Sequence, residues 1–444
     1  MRGNILKSIL VCLTALGVLV LFLGWWVSKN SPEWGKYILS FGGIFSAGVV
    51  GLFWLKENEA IKILQLLFSS FLILVIVNQC LLYLDRSKNY KSAQAMGIDF
   101  DKRDVLEFTR DLRKKGEEVY LYPSPLVFLN HTWDKIDLSS FFPLGGKSKA
   151  TTVFCNESGT WITYKSDRFG FNNHNSVYDL ENPAVVITGD SWAHGVCVPQ
   201  ENNIAGVLRK KGFKAISLGM PGQGPLTQLA GLIEYGRFFK PKVVIWLYNI
   251  RTSFLNGEKK APILLKYLSS NFSQNLIEKQ ESLDSFLYEF NKKRIFKGTL
   301  NKYKNFLTFH IIRKHFKLSN SSFLKENNKY LNNDAVELQK KWMLLEQVYK
   351  KAKFITEEAG GKFYVVNLTS HTDYKKKLSQ KYDLIKKLMK KLQIPIIDMQ
   401  KQFANYDNLP ELYSLHRINK HYNKKGYKLI ADLIDEKGWL EGLN

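Results

Sequence analysis

Hydrophobic and polar positions alternate in two different regimes along this chain. Over residues 1–84 three long apolar stretches are separated by short polar segments. Residues 4–27 carry one charge, Lys7, near their start; residues 37–55 carry none; residues 63–84 carry none but include Gln65, Asn78 and Gln79. Each stretch is near the roughly 20 residues a helix needs to cross the hydrocarbon core, so the pattern predicts three membrane-spanning helices. Trp25, Trp26, Trp34 and Trp54 stand at segment ends, where amphipathic rings favour the interface. Gly42, Gly43, Gly48 and Gly51 predict a smooth face on the middle helix for close approach by a neighbour. No ionisable group sits deep in any stretch, which points to an anchor and away from ion or proton transport. Flanking basic residues number four on one side of such an anchor (Arg2, Lys7, Lys56, Lys62) and five on the other (Lys29, Lys36, Arg86, Lys88, Lys91), so the positive-inside rule sets no direction.

Beyond residue 84 the pattern becomes that of a folded soluble domain. Residues 85–180 are mixed and mostly polar, with a helix expected over 104–115 and a Pro-containing stretch at 122–125; they read as a stalk and lead-in. Gly145-Gly146-Lys147-Ser148 ends like a phosphate-binding loop, but Phe141 stands where that loop needs its first glycine. From residue 181 to 444 a β–α rhythm takes over. Residues 184–188 are a continuous apolar run, the signature of a strand buried on both faces. A Gly-Asp-Ser turn follows, and Asn203 can cap a helix over 204–211 that Gly212 stops. Further strands are predicted at 215–218, 243–248, 363–368 and 394–397, with helices over 226–239 and from Asn423 to 437. Strands alternating with helices predict a parallel, doubly wound, three-layer α/β/α sheet of flavodoxin-like type, whose ligands sit outside the carboxyl ends of the strands.

The rhythm is interrupted by an insertion at about 259–360, far longer than ordinary connections and rich in Lys and aromatics. Within it Asp334 and Glu337 form a capping-box pattern, and Leu338, Trp342, Leu345, Tyr349, Ala352 and Ile355 make an apolar stripe at helical period that should cover the sheet. The run Lys386-Lys387-Leu388-Met389-Lys390-Lys391 is the solvated face of a helix whose Ile385, Leu388 and Leu392 point inward.

Composition changes this picture in two places. Lys and Arg total 64 against 40 Asp and Glu, a formal charge of +24 over 444 residues. No zinc, helix-turn-helix or RNA-binding pattern accompanies that charge, so nucleic acid is not the expected partner; anionic lipid headgroups or acidic envelope glycans are. Of the four cysteines, Cys12 and Cys80 fall in the apolar stretches. Cys155 and Cys197 are left as a pair, either a disulfide in an oxidising compartment or two buried thiols. The disulfide alternative favours an extracytoplasmic domain.

The chemistry concentrates at the predicted carboxyl edge of the sheet. Gly189-Asp190-Ser191-Trp192-Ala193-His194-Gly195 puts a serine on a strand-to-helix turn, where helix amides face any developing negative charge. Gly219-Met220-Pro221-Gly222-Gln223-Gly224-Pro225, after the second strand, reaches the same edge. Asn419-Lys420-His421-Tyr422-Asn423 places a histidine just before the last helix. A serine and a histidine at one edge are the minimum for nucleophilic acyl transfer. His194 is expected to pack beside the turn, and a metal site at His416 and His421 lacks the accompanying ligands. No cofactor motif is present.

These three motifs, with the lead-in Ser166-Asp167-Arg168-Phe169-Gly170-Phe171-Asn172-Asn173, resemble the SGNH/GDSL hydrolase family, in particular bacterial membrane-anchored members; the resemblance covers residues 184–258 and 362–437. It implies Ser191 as nucleophile, His421 as base, and an oxyanion hole from the amides of Ser191 and Gly222. The chain departs from the family twice. The family's oxyanion asparagine would fall at Arg251 or Thr252, with Asn249 offset from it. The family's aspartate, three residues before the histidine, is here Ile418, leaving Asp190 beside the serine and Asn419 beside the histidine as orienting candidates. The resemblance implies an esterase or O-acyltransferase acting on acyl (acetyl) esters of a cell-envelope polysaccharide, with membrane lipid and an ester-bearing glycan or lipid as partners. The departures leave open a catalytically degenerate domain that binds glycan or scaffolds an envelope complex.

Overall fold

A computed structural model describes the chain except residues 1, 31, 53, 131–141, 182–183, 250–257, 259–260, 270, 308, 316–334, 369–378, 405, 417–420 and 444. It divides into two compact units, Met1–Leu84 with Asn305–Ser319, and Asp85–Lys304 with Asn320–Asn444.

In the first unit the helices Arg2–Asn30 and Pro32–Leu52 are followed by the start of the helix Glu57–Ala95. Leu10, Val49, Leu52 and Ala60 form its small core. Close approach depends on Gly17 and Gly42. A Cβ on the former would lie 2.5 Å from Ser46 Oγ, and one on the latter 3.0 Å from Leu21 Cδ2, whereas Gly43, Gly48 and Gly51 face open space. The glycine face expected on this helix thus narrows to one of its four residues. Among the described residues one stretch, Asn58–Leu84, is long and apolar enough to cross a membrane, with a mean hydropathy of 2.4. Its Leu66, Phe68 and Ile73 are exposed. The described apolar stretches of the first two helices, Lys7–Phe22 and Gly42–Leu52, are shorter than the roughly 20 residues a span requires. Of the three expected spans, one therefore meets the criterion among the described residues.

The second unit contains two sheets. Three short strands, β1 (Val119–Leu121), β2 (Thr151–Cys155) and β3 (Ile162–Lys165), lie in the lead-in read as a stalk, with β1 and β2 parallel and β2 and β3 antiparallel. The larger sheet holds β4 (Ala184–Thr188), β5 (Lys214–Ser217), β6 (Val243–Asn249), β7 (Lys362–Leu368) and β8 (Ile396–Asp398), all parallel, in the order β5-β4-β6-β7-β8. Counted within this sheet the order is 2-1-3-4-5, the flavodoxin-like arrangement, and the strand order reverses at β4.

Side chains alternate across the strands, and both faces are buried. Val186, Ile216, Val244 and Val365 pack under Leu229, Tyr349, Ala352 and Ile385 from the helices Pro225–Gly231, Ala335–Glu358 and Ser379–Lys391. Val185, Ile187, Ile245 and Val366 pack against Ile204, Leu208, Tyr427 and Ile430 from the helices Ile204–Lys210 and Lys424–Glu436. The result is a three-layer α/β/α domain. From Trp342 to Ile355 the insertion's apolar stripe covers the sheet as its periodicity predicts, with Tyr349 against Trp246 at 5.1 Å between ring centroids; the capping residue Asp334 lies outside the described residues.

The insertion is also tied to the lead-in. From the helix Gln280–Leu307, Asn291 Oδ1 accepts the Leu121 amide at 3.0 Å and Asp284 Oδ1 accepts the Ser148 amide at 2.8 Å. Gly145 and Gly146 are packing positions rather than a phosphate loop: a Cβ on Gly146 would meet the Gly170 carbonyl at 2.8 Å.

Candidate active site

Ser191 opens the short helix Ser191–His194 directly after β4, at the edge where the strand order reverses. Asp190 Oδ1 caps this helix by accepting the Trp192 amide at 3.0 Å. Asp190 thus holds the turn that carries Ser191. Gly219 lets the loop after β5 come close: a Cβ there would lie 2.4 Å from Ala193 Cβ and 2.5 Å from the His194 amide nitrogen. Gly222, at φ 81°, takes a left-handed conformation that glycine adopts freely. Among the described residues no group accepts a hydrogen bond from the backbone N–H of Ser191 or Gly222, so both remain available to an oxyanion.

The lead-in motif fixes that loop from beneath. Asp167, fully buried, accepts the amides of Phe169 and Phe171 at 2.9 Å, Asn173 Nδ2 at 2.8 Å and the Tyr178 hydroxyl at 2.5 Å. Burial still pushes its carboxyl above the usual range. Asn173 then brackets Ser217 at the end of β5, accepting its N–H at 2.8 Å and donating to its carbonyl at 2.9 Å. At the other end of the loop Glu258, also buried, accepts the amides of Leu226 and Thr227 at 3.1 and 2.8 Å and the Thr227 hydroxyl at 2.7 Å. A carboxylate thus caps the helix Pro225–Gly231, although burial raises its pKa too.

His421 arrives from the opposite side of the chain. Asn423 caps the last helix, accepting the amides of Lys425 and Gly426 at 2.9 and 3.3 Å, and the His421 carbonyl accepts the Ser414 amide at 3.0 Å. The imidazole packs on Trp192, with ring centroids 4.9 Å apart. His421 Nε2 lies 2.9 Å from Ser191 Oγ. Its Nδ1 lies 3.1 Å from Glu157 Oε2, and the same oxygen accepts the His421 backbone N–H at 3.1 Å. With Nδ1–H directed to the carboxylate, Nε2 is left to accept from the serine hydroxyl.

Glu157 was not anticipated. It sits in the turn between β2 and β3, and its carboxylate fills the place for which Asp190 and Asn419 were candidates; Asn419 lies outside the described residues, as does Arg251. Asn249 ends β6 and is not among the residues lining the cavity around Ser191. The one available signal for Glu157 was the cysteine pair. Cys155 and Cys197 form a disulfide, and the Glu157 N–H donates to Cys197 Sγ at 3.1 Å. The disulfide joins the turn bearing Glu157 to the segment that follows the serine helix.

His194 is buried between Phe154 and Tyr164, at 4.3 and 5.0 Å between ring centroids, and neither ring nitrogen has a partner among the described residues. Burial, and then the proximity of His421, pulls its pKa down to about 3. It is a packing residue, as expected. Among the described residues no group of three or more His, Cys, Asp or Glu is clustered to hold a metal ion.

Ser191, His421, Glu157 and Gly222 open on one cavity of about 670 Å³. Fold and site together define a doubly wound α/β protein with a Ser–His–Glu constellation at the carboxyl edge of its sheet. No protein-family model and no curated protein matches the chain. Among solved structures it is similar to an acetyl xylan esterase, AlAXEase, at 14% identity over 57% of this chain and 98% of that one, with a TM-score of 0.32. It is also similar to the lipase/acylhydrolase from Enterococcus faecalis, at 12% identity over 58% of this chain and 95% of that one, with a TM-score of 0.31.

Proposed function

We propose that this chain is a serine esterase or O-acyltransferase of SGNH type, tethered by its N-terminal helices and acting on acyl esters of a cell-envelope polysaccharide from the extracytoplasmic side. The observation that carries the reading is the continuous hydrogen-bonded chain Ser191–His421–Glu157 at the mouth of a cavity. Ser191 Oγ attacks the ester carbonyl while its proton passes to His421 Nε2. Glu157 holds the imidazole tautomer and stabilises the imidazolium. The N–H groups of Ser191 and Gly222 receive the oxyanion; each such donor typically contributes about 10²–10³ in rate. His421 returns the proton to the leaving sugar oxygen, and water or a second sugar hydroxyl then takes the acyl group from Ser191. The apolar helix Asn58–Leu84 and the resemblance in the motifs support the envelope substrate.

A degenerate glycan-binding domain would gain support from a serine out of reach of its histidine, and the 2.9 Å Ser191–His421 contact favours catalysis instead. The test is p-nitrophenyl acetate hydrolysis by the full-length protein in detergent. Turnover by the wild type that falls to background in Ser191→Ala and in His421→Ala is expected; turnover unchanged in either variant would remove the proposal.

A further inference from the structure

The cavity that holds Ser191 and His421 is also lined by Arg294, which the insertion supplies from the helix Gln280–Leu307. One guanidinium nitrogen donates to the Tyr122 carbonyl, and the group lies over the Tyr122 ring, 5.4 Å from its centroid. Among the described residues no carboxylate pairs with it. The other charged groups lining this cavity are occupied. Arg103 is bound by Asp101 and Asp111, Asp104 by Lys302, and Glu157 by His421, while Lys102 sits 4.0 Å from the Tyr90 ring centroid. Burial pulls the Arg294 guanidinium below its ordinary pKa, yet the side chain stays cationic at any physiological pH. A part-buried cation without an anion is costly to maintain, and its remaining N–H donors form a fork suited to a carboxylate or phosphate. Tyr122, Phe154 and Trp161 line the same space and provide apolar faces for a sugar ring.

We propose that Arg294 is a specificity-determining residue that binds an anionic group of the substrate, so that the ester presented to Ser191 is carried on an acidic saccharide. This rests on the esterase reading for the word substrate, but the anion site itself does not depend on it. Binding is therefore measured on full-length Ser191→Ala, which needs no turnover, by calorimetry with glucuronate, glucose 6-phosphate and glucose. A preference of about tenfold or more for one acid over glucose is expected, the size of one charge-assisted contact; which acid is preferred separates a carboxylate from a phosphate ligand. Adding Arg294→Gln should abolish the preference, and Arg294→Lys, which keeps the charge, should restore part of it. Equal binding of all three compounds, no detectable binding of either acid, or a preference that survives Arg294→Gln would overturn the proposal. Should Arg294→Gln fail to fold, the preference of the Arg294-containing protein and its loss on raising salt decide the matter. A wild type inert towards esters that still binds glucuronate or glucose 6-phosphate through Arg294 would remove the esterase reading and leave the anion site standing.

Discussion

Glu157 offers a single oxygen to both the ring N–H and the backbone N–H of His421, so the imidazole is fixed in orientation as well as in tautomer. Glu157→Gln keeps the shape and removes the charge that balances an imidazolium. By analogy with the Asp→Asn change in a serine protease triad, kcat should fall by about 10³–10⁴ with KM little changed, as expected for an interaction made mainly in the transition state. Steady-state kinetics on a p-nitrophenyl ester check this; a parallel rise in KM with unchanged kcat would assign Glu157 to binding. His194 carries the opposite kind of prediction. Its pKa is about 3 in the folded protein against about 6.5 in an unfolded chain. Between those values the unfolded state binds a proton that the folded state does not, so stability declines as pH falls from about 6.5 towards 3, by about 1.4 kcal/mol per pH unit. His194→Phe removes that dependence. Melting curves recorded from neutral to acid pH should drop less steeply for the variant than for the wild type.

At the scale of elements, the disulfide ties the turn bearing Glu157 to the segment after Ser191, and the lead-in motif ties Asn173 to the end of β5. Cys155 and Cys197 are 42 residues apart in sequence, and closing a loop of that length stabilises the chain by about 4 kcal/mol in the chain-entropy description. The double variant Cys155→Ser, Cys197→Ser should therefore melt lower, and it should also turn over more slowly because the Glu157 turn loses its tether. A variant equally stable but slower would place the disulfide's contribution in the site alone. The strands were legible in the sequence because β4 to β8 are apolar runs buried on both faces, and two helix starts because Asn203 and Asn423 each accept the amides their positions predict. Ser191, Gly222 and His421 were legible because each sits in a motif tied to a strand-to-helix connection. Glu157 was not: it lies in a short polar turn without periodicity, and its partner is 264 residues away. Arg294 was hidden for the same reason, one basic residue among many on a helix whose contacts are set by tertiary packing.

On the scale of the whole molecule, a basic chain of net charge +24 joins a doubly wound α/β unit to apolar helices, of which Asn58–Leu84 is long enough to span a bilayer. The protein should remain with membranes after alkaline carbonate extraction, and release into the supernatant would remove the tether from the proposed function. Hydropathy made the apolar segments visible in sequence, and among the described residues one of the three expected spans meets the length and apolarity a crossing requires. Ser191, His421 and Glu157 come together at one cavity at the carboxyl edge of the sheet. Time-resolved labelling of the full-length protein with a fluorophosphonate, followed by peptide mapping, tests that arrangement most directly. The adduct should form on Ser191, vanish in His421→Ala and form far more slowly in Glu157→Gln. A folded wild type that takes no label, or a Ser191 adduct that forms at the same rate without His421, would contradict it.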